Sequence, residues 1–125
     1  MYFNFPLFSR LAERAYKNTG MTEYGLDDVL SVFRYYFRQY EDTFKQVHPN
    51  IRVAQIEQLI NAMPYIGGDG NSSAGGDITP EDYKVLIDKH FQTKYRNCDY
   101  NINHFFSGDI RLMRHYEELY FGGEA

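Results

Sequence analysis

Apolar and aromatic residues recur every three or four positions along one stretch of the sequence, and this spacing constrains the fold more than any other feature. They are Val29, Phe33, Tyr36, Phe37, Tyr40, Phe44 and Val47. The spacing puts all of them on one face of an α-helix, which must be buried. Asp27 and Asp28 stand where carboxylates favour a helix start, and His48-Pro49 disfavours continuation. The sequence therefore predicts a long central amphipathic helix of about 20 residues.

Another helix is predicted before this one. Pro6 suits its first turn, the helix continues to about Asn18, and Gly20 ends it. Its predicted apolar side consists of Leu7, Phe8, Leu11 and Ala15. Its opposite side carries a small basic strip made of Arg10, Arg14 and Lys17. Because most charged helix faces are simply hydrated, we interpret this strip first as a solvated surface.

Two helices are predicted after the central one. Asn50 is expected to cap the first, and Pro64 ends it. Its apolar face contains Val53, Ile56, Leu59, Ile60 and Met63. Thr79 caps the second helix and Pro80 takes its first position. The buried face of this helix is predicted to be Tyr83, Leu86, Ile87, His90 and Phe91.

The rest of the chain adds a loop and short C-terminal elements. Residues 65–78 are rich in glycine and serine, whose ordering is costly, and they predict a flexible loop. Asp99 is expected to cap a short helix that ends near Phe106, and a last helix contains Ile110 to Tyr120. No segment shows the alternation of apolar and polar residues that is typical of a β-strand. The sequence thus predicts an all-α fold, a compact single domain over residues 1–125 with five or six helices.

Composition agrees with a single globular domain. The chain has 125 residues, of which 43% are hydrophobic and 24% charged. Cys98 is the only cysteine, which excludes an internal disulfide and favours a reduced, cytoplasmic protein. No apolar run approaches the roughly 18 residues of a membrane span, and no basic-then-apolar targeting segment is recognised. We therefore expect a cytoplasmic protein with no membrane partner.

The sequence carries no recognisable catalytic or metal-binding motif. The glycine-rich loop lacks the Gly-Lys-Ser/Thr ending of a phosphate-binding loop and the final bidentate carboxylate of a calcium loop. The four histidines do not form a His-Glu-x-x-His pair, and Cys98 has no recognisable activating base. The sequence therefore predicts a non-catalytic protein with no metal and no cofactor. A small metal-dependent enzyme built on the histidines is the remaining alternative.

The net charge and the acidic residues favour a basic partner. The formal net charge is −4, which argues against a general nucleic-acid coat, because such affinity comes mainly from neutralising phosphates. The chain also has 12 Tyr and 10 Phe, side chains that supply core area and recognition surface alike. The acidic residues that are candidates for occupying a partner's basic groove are Asp27, Asp28, Glu41, Asp42, Glu117 and Glu118. The same residues also suit helix capping and solubility.

One segment near the C-terminus instead mixes cations, amides and rings. This mixture suits stacking on bases or filling pockets of a protein. Its candidate contact residues, with two nearby arginines, are Lys94, Tyr95, Arg96, Tyr100, Arg111 and Arg114. The alternative is a turn whose Asn and Asp side chains bond to the backbone while its rings enter the core.

Several short motifs carry a resemblance to known proteins. They are Val32-Phe33-Arg34-Tyr35-Tyr36-Phe37 leading to Tyr40-Glu41, then His48-Pro49-Asn50-Ile51, then Cys98-Asp99-Tyr100-Asn101-Ile102-Asn103-His104-Phe105, then Arg114-His115-Tyr116-Glu117. Together they resemble a group of small, largely uncharacterised helical proteins from phages and other mobile elements of Gram-positive bacteria. The Tyr40-Glu41 pair before a turn is also similar, more weakly, to DnaD-type domains of replication initiation and helicase loading. The resemblance implies an accessory protein that binds a host or phage protein complex.

Two functional hypotheses follow from the charge, the aromatic residues and the resemblance. The first hypothesis is a non-catalytic protein-binding module that docks on a nucleic-acid-handling enzyme, either a replicative helicase or a CRISPR effector nuclease, and modulates it. The second is direct binding of single-stranded nucleic acid in phage replication. Exposed tyrosine and phenylalanine rings could equally form the interface of a homodimer.

Overall fold

The computed structural model describes residues 4–63, 79–94 and 98–106. These residues form five helices and no strand, which confirms the all-α prediction for the described parts. The helices are α1 (Phe5–Thr19), α2 (Leu26–Phe44), α3 (Val53–Ala62), α4 (Pro80–Gln92) and α5 (Ile102–Phe105). α1 packs mainly on α3, and α2 packs mainly on α4. The predicted glycine-rich loop and the predicted last helix lie outside the described residues.

The α2 helix supplies three of the largest buried side chains, Phe33, Tyr36 and Phe37, all from the predicted apolar face, whereas Tyr40, Phe44 and Val47 of that face are only half-buried. Its buried residues are Val29, Val32, Phe33, Tyr36 and Phe37, all at most 2% exposed. The predicted end at His48-Pro49 is wrong, because α2 ends at Phe44. Lys45 adopts a left-handed backbone with φ of 57°, and its N–H donates to the Glu41 carbonyl at 2.8 Å. This early end lets the chain turn back and bury His48.

The ends of α1 are those predicted, but its buried face is rotated. Gly20 follows the helix with φ of 69°, a left-handed conformation that favours glycine. The buried residues are Phe8, Ala12 and Ala15, whereas Leu7 is 47% exposed, so its assignment to the apolar side is wrong. The two fully buried alanines leave little side-chain bulk at this face, which suits the close packing of α1 with its neighbours.

The buried faces of α3 and α4 are those predicted from periodicity. In α3 and just beyond it the buried residues are Ile56, Leu59, Ile60 and Met63. In α4 they are Tyr83, Leu86, Ile87 and His90, with Phe91 packed at the margin. The predicted cap of α4 is confirmed. The Asp82 N–H donates to Thr79 Oγ1 at 3.1 Å, and the Thr79 N–H donates to Asp82 Oδ2 at 3.0 Å.

Two other predicted caps are wrong by two residues each. The residue before α3 is Arg52 rather than Asn50, and the Arg52 N–H donates to the Gln55 side chain at 3.2 Å. The cap of α5 is Asn101, whose side chain accepts from the Asn103 N–H at 3.0 Å. Asp99 accepts from the Asn101 N–H at 2.9 Å and so shapes the turn before the cap.

Two tyrosine hydroxyls bind carbonyls next to helix ends, and a third joins α2 to α4. Tyr83 donates to the Met63 carbonyl at 2.6 Å, Tyr36 donates to the Tyr100 carbonyl at 2.7 Å, and Tyr35 donates to Asp88 Oδ1 at 2.7 Å. Each bond joins residues that are distant in sequence. Part of the high tyrosine content is thus explained by the core, where a ring supplies apolar area and its hydroxyl satisfies a buried carbonyl.

Candidate partner-binding groove

A surface groove lies between the first turn of α1 and the C-terminal half of α2. Its volume is about 470 Å³, within the range of cavities that hold ligand groups. The lining residues are Phe5, Pro6, Arg34, Phe37, Arg38, Glu41 and Asp42. Three of them are apolar and four are charged, two of each sign. The groove therefore combines an apolar floor with a rim of both charges, and we call it the α1/α2 groove.

The floor of the α1/α2 groove is built by phenylalanines. Phe8 is buried and packs edge-on against Phe37, with ring centroids 4.8 Å apart, which fixes α1 on α2. Phe5 lies almost one turn earlier on α1, and its ring centroid is 5.7 Å from that of Phe8. Because Phe5 is only half-buried, its ring extends the core outward into the floor of the groove.

The positive part of the rim comes from two arginines one helical turn apart. The Arg34 guanidinium carbon lies 4.9 Å from the centre of the Phe5 ring, a cation–π contact that helps to position it. Arg38 follows four residues later and is exposed. Neither Arg38 nor Asp42 forms an ion pair within 4 Å with another residue that the structure describes. Both charges are therefore available to a partner.

The structure separates the predicted acidic residues into two places. Glu41 and Asp42 line the α1/α2 groove. Asp27 and Asp28 are exposed in the first turn of α2. Fourteen positions separate Asp28 from Asp42, which is about 21 Å along a helix. The two pairs therefore do not form one patch, and the other candidates, Glu117 and Glu118, lie outside the described residues.

The basic and aromatic candidates are only partly described. Lys94 is exposed after α4. Tyr100 is half-buried, its ring stacks on Phe91 with centroids 5.7 Å apart, and its hydroxyl donates to the Thr93 carbonyl. Tyr100 therefore attaches its segment to α4, and its role as a platform for bases stays a prediction. The other candidates, Tyr95, Arg96, Arg111 and Arg114, lie outside the described residues.

His48 has a structural position. It is 1% exposed, its Nε2 accepts from the Ile102 N–H at 3.0 Å, and its Nδ1 lies 2.8 Å from the Pro49 carbonyl. These partners require a neutral ring with its proton on Nδ1. Burial lowers the pKa of His48 below its ordinary value of 6.5, against smaller opposing effects of the Pro49 carbonyl and Asp99. His48 thus attaches the start of α5 to the core.

Metal-ligating side chains and the cysteine were the remaining candidates for reactive chemistry. Within residues 4–63, 79–94 and 98–106, no three His, Cys, Asp or Glu side chains converge as metal ligands. The Cys98 sulfur accepts from the Tyr100 N–H at 3.3 Å, and burial raises the pKa of the Cys98 thiol, which opposes formation of the reactive thiolate. None of the helices described has the length and apolar character to cross a bilayer.

The sequence identified only two of the seven groove residues, Glu41 and Asp42, as binding candidates. It proposed no binding role for Arg34 and Arg38 and no surface role for Phe5 and Pro6. The available signal was the repeat of charges at positions 34, 38 and 42, which share one helix face. The periodicity of a single helix cannot show that the start of α1 lies beside that face.

Comparison with protein-family models, curated proteins and solved structures finds no match to this chain.

Proposed function

We propose that this chain is a non-catalytic protein-binding module that docks on a nucleic-acid-handling enzyme and modulates it. The observation that carries the proposal is the α1/α2 groove, with its phenylalanine floor and its rim of both charges. Aromatic and arginine side chains in a partly desolvated depression are the usual energetic centres of protein interfaces. The groove supplies Phe5 and Arg34 in direct contact for this purpose.

The mixed charge of the rim favours protein over nucleic acid as the direct partner. A phosphate backbone next to Arg34 and Arg38 would also meet the carboxylates of Glu41 and Asp42 and be repelled. The overall charge of −4 adds to this repulsion. A protein surface can present one charge to each end of the groove, which gives both affinity and orientation.

The choice of target class rests on the motif resemblance to mobile-element proteins described above. An accessory protein of that kind acts in the cytoplasm of a bacterial host cell on a replicative helicase or a CRISPR effector nuclease. The exposed acidic pair at the start of α2, Asp27 and Asp28, then provides a second contact for a basic groove of the enzyme. Such contacts weaken as salt is added.

The test is affinity capture of the tagged chain from a nuclease-treated bacterial lysate, compared between two charge variants. Arg38→Glu reverses a charge in the groove, whereas Arg14→Glu reverses a charge elsewhere, on α1. We expect the wild type and Arg14→Glu to retain one stoichiometric helicase or nuclease, and Arg38→Glu to lose it. Equal capture by all three would remove the groove from the proposal. Complete loss of capture on nuclease treatment would replace it with direct nucleic-acid binding.

A further inference from the structure

The α1/α2 groove has a direction, because its charges are ordered along α2. Arg34 and Arg38 occupy one end, and Asp42 with Glu41 occupies the other. Eight positions separate Arg34 from Asp42, which is about 12 Å along the helix axis. Along α2, Phe37 comes between Arg34 and the acidic end, and the Phe5 ring lies against Arg34, 4.9 Å from its guanidinium carbon. A ligand that satisfies the whole groove must therefore carry two opposite charges with an apolar group between them.

We propose, building on the proposed function, that the occupant is an extended peptide segment of the partner protein with the pattern acidic–x–apolar–x–basic, in either chain direction. In an extended chain, alternate side chains point to the same side. Positions i, i+2 and i+4 therefore all face the groove, and four steps of about 3.3 Å span about 13 Å. This span matches the separation along α2 of Arg34 and Asp42, the outermost charges of the groove.

Each position of the pattern has its own contact. The acidic side chain lies against Arg34 and Arg38, and arginine guanidinium groups favour carboxylates because they donate two hydrogen bonds. The apolar side chain covers Phe5, whose half-buried ring otherwise faces water at the edge of the core. The basic side chain lies against Asp42, which has no ion pair within 4 Å in the described part of the chain. The contact of Arg34 with Phe5 orders the first of these sites before binding.

The experiment is selection of a displayed library of random linear peptides on the immobilised full-length chain. The pattern should be enriched among peptides selected by the wild type and by the control variant Arg14→Glu. Arg38→Glu should remove the acidic preference, and Asp42→Lys should replace the basic preference with an acidic one. Synthetic peptides that carry the pattern should bind Arg38→Glu at least about tenfold more weakly than wild type, a change of about 1.4 kcal/mol. Circular dichroism confirms that each variant is folded.

Enrichment of unrelated peptides, or of the same peptides on all variants, would overturn the inferred occupant. Absence of any enrichment would overturn it as well. These outcomes leave the proposed function intact if capture from lysate still depends on Arg38, since the partner would then present a folded surface instead. Conversely, enrichment of the pattern without capture of any nucleic-acid-handling enzyme would support the occupant and refute the target class.

Discussion

Acid should destabilise this fold through His48. The folded protein needs the neutral ring, since a protonated Nε2 could not accept the Ile102 N–H at 3.0 Å. Three aromatic rings surround the imidazole, those of Tyr36, Phe37 and Tyr40, with centroids 4.8 to 6.3 Å away. Burial lowers the pKa of His48 in the folded state, whereas in the unfolded chain it keeps its ordinary value of 6.5. Protons therefore bind preferentially to the unfolded state.

The sign and size of the effect follow from this difference. Well above pH 6.5 the ring is neutral in both states, and its contribution to stability is complete. As the pH falls below 6.5, the unfolded state gains a proton first and the free energy of unfolding decreases. One proton accounts for at most about 1.4 kcal/mol between pH 7.5 and pH 5.5. The loss stops growing once the pH falls below the lowered pKa of the folded state.

The assay is urea denaturation of wild type, His48→Gln and His104→Gln across this pH range. In His48→Gln the new carboxamide oxygen can accept the Ile102 N–H but does not titrate, so this variant should lose the pH-dependent part of the wild-type profile. His104 is half-buried, and its replacement should leave that part in place. Equal losses in the free energy of unfolding of His48→Gln and wild type between pH 7.5 and pH 5.5 would refute this role of His48.

Three further substitutions test local features by urea denaturation at pH 7.5. Gly20→Ala should lower the free energy of unfolding by about 1 kcal/mol, because the backbone at Gly20 has a φ of 69°. Gly25→Ala, at a position with φ of −74°, should lower it by less. Equal losses would contradict a conformational cause. Tyr83→Phe should lower the free energy of unfolding by about 1–2 kcal/mol, because the Met63 carbonyl loses the hydroxyl that donates to it at 2.6 Å. An unchanged urea midpoint would show that this hydrogen bond adds nothing to stability. Thr79→Ala should cost about 1 kcal/mol by removing the cap of α4, and a neutral result would argue against the cap.

Helix positions and most buried faces were predictable because they follow from periodicity. Residues 29 to 37 of α2 and the apolar positions of α3 and α4 repeat every three or four residues, and burial of one helix face requires that repeat. The cap of α4 was also predictable, since Thr79-Pro80 combines a side-chain acceptor with a residue that needs no N–H partner.

The predictions that proved wrong concern places where contacts between distant segments decide the structure. Leu7 and Phe8 both fit an apolar side of α1, and only contact with Phe33 and Phe37 on α2 selects Phe8 for burial. The early end of α2 accompanies the burial of His48, which accepts from the Ile102 N–H, 54 residues away in sequence. The α1/α2 groove depends in the same way on the meeting of two helices. Sequence reasoning reached Glu41 and Asp42 as charged candidates, but not the arginines and the phenylalanine beside them.

The most direct test of the central claim is amide hydrogen exchange of the full-length chain, alone and with the enzyme that it captures. The account predicts that binding slows exchange in the first turns of α1, residues 5–10, and in the second half of α2, residues 34–44. Protection confined to residues 94–106, with α1 and α2 unchanged, would contradict it and assign binding to the segment that contains Lys94 and Tyr100.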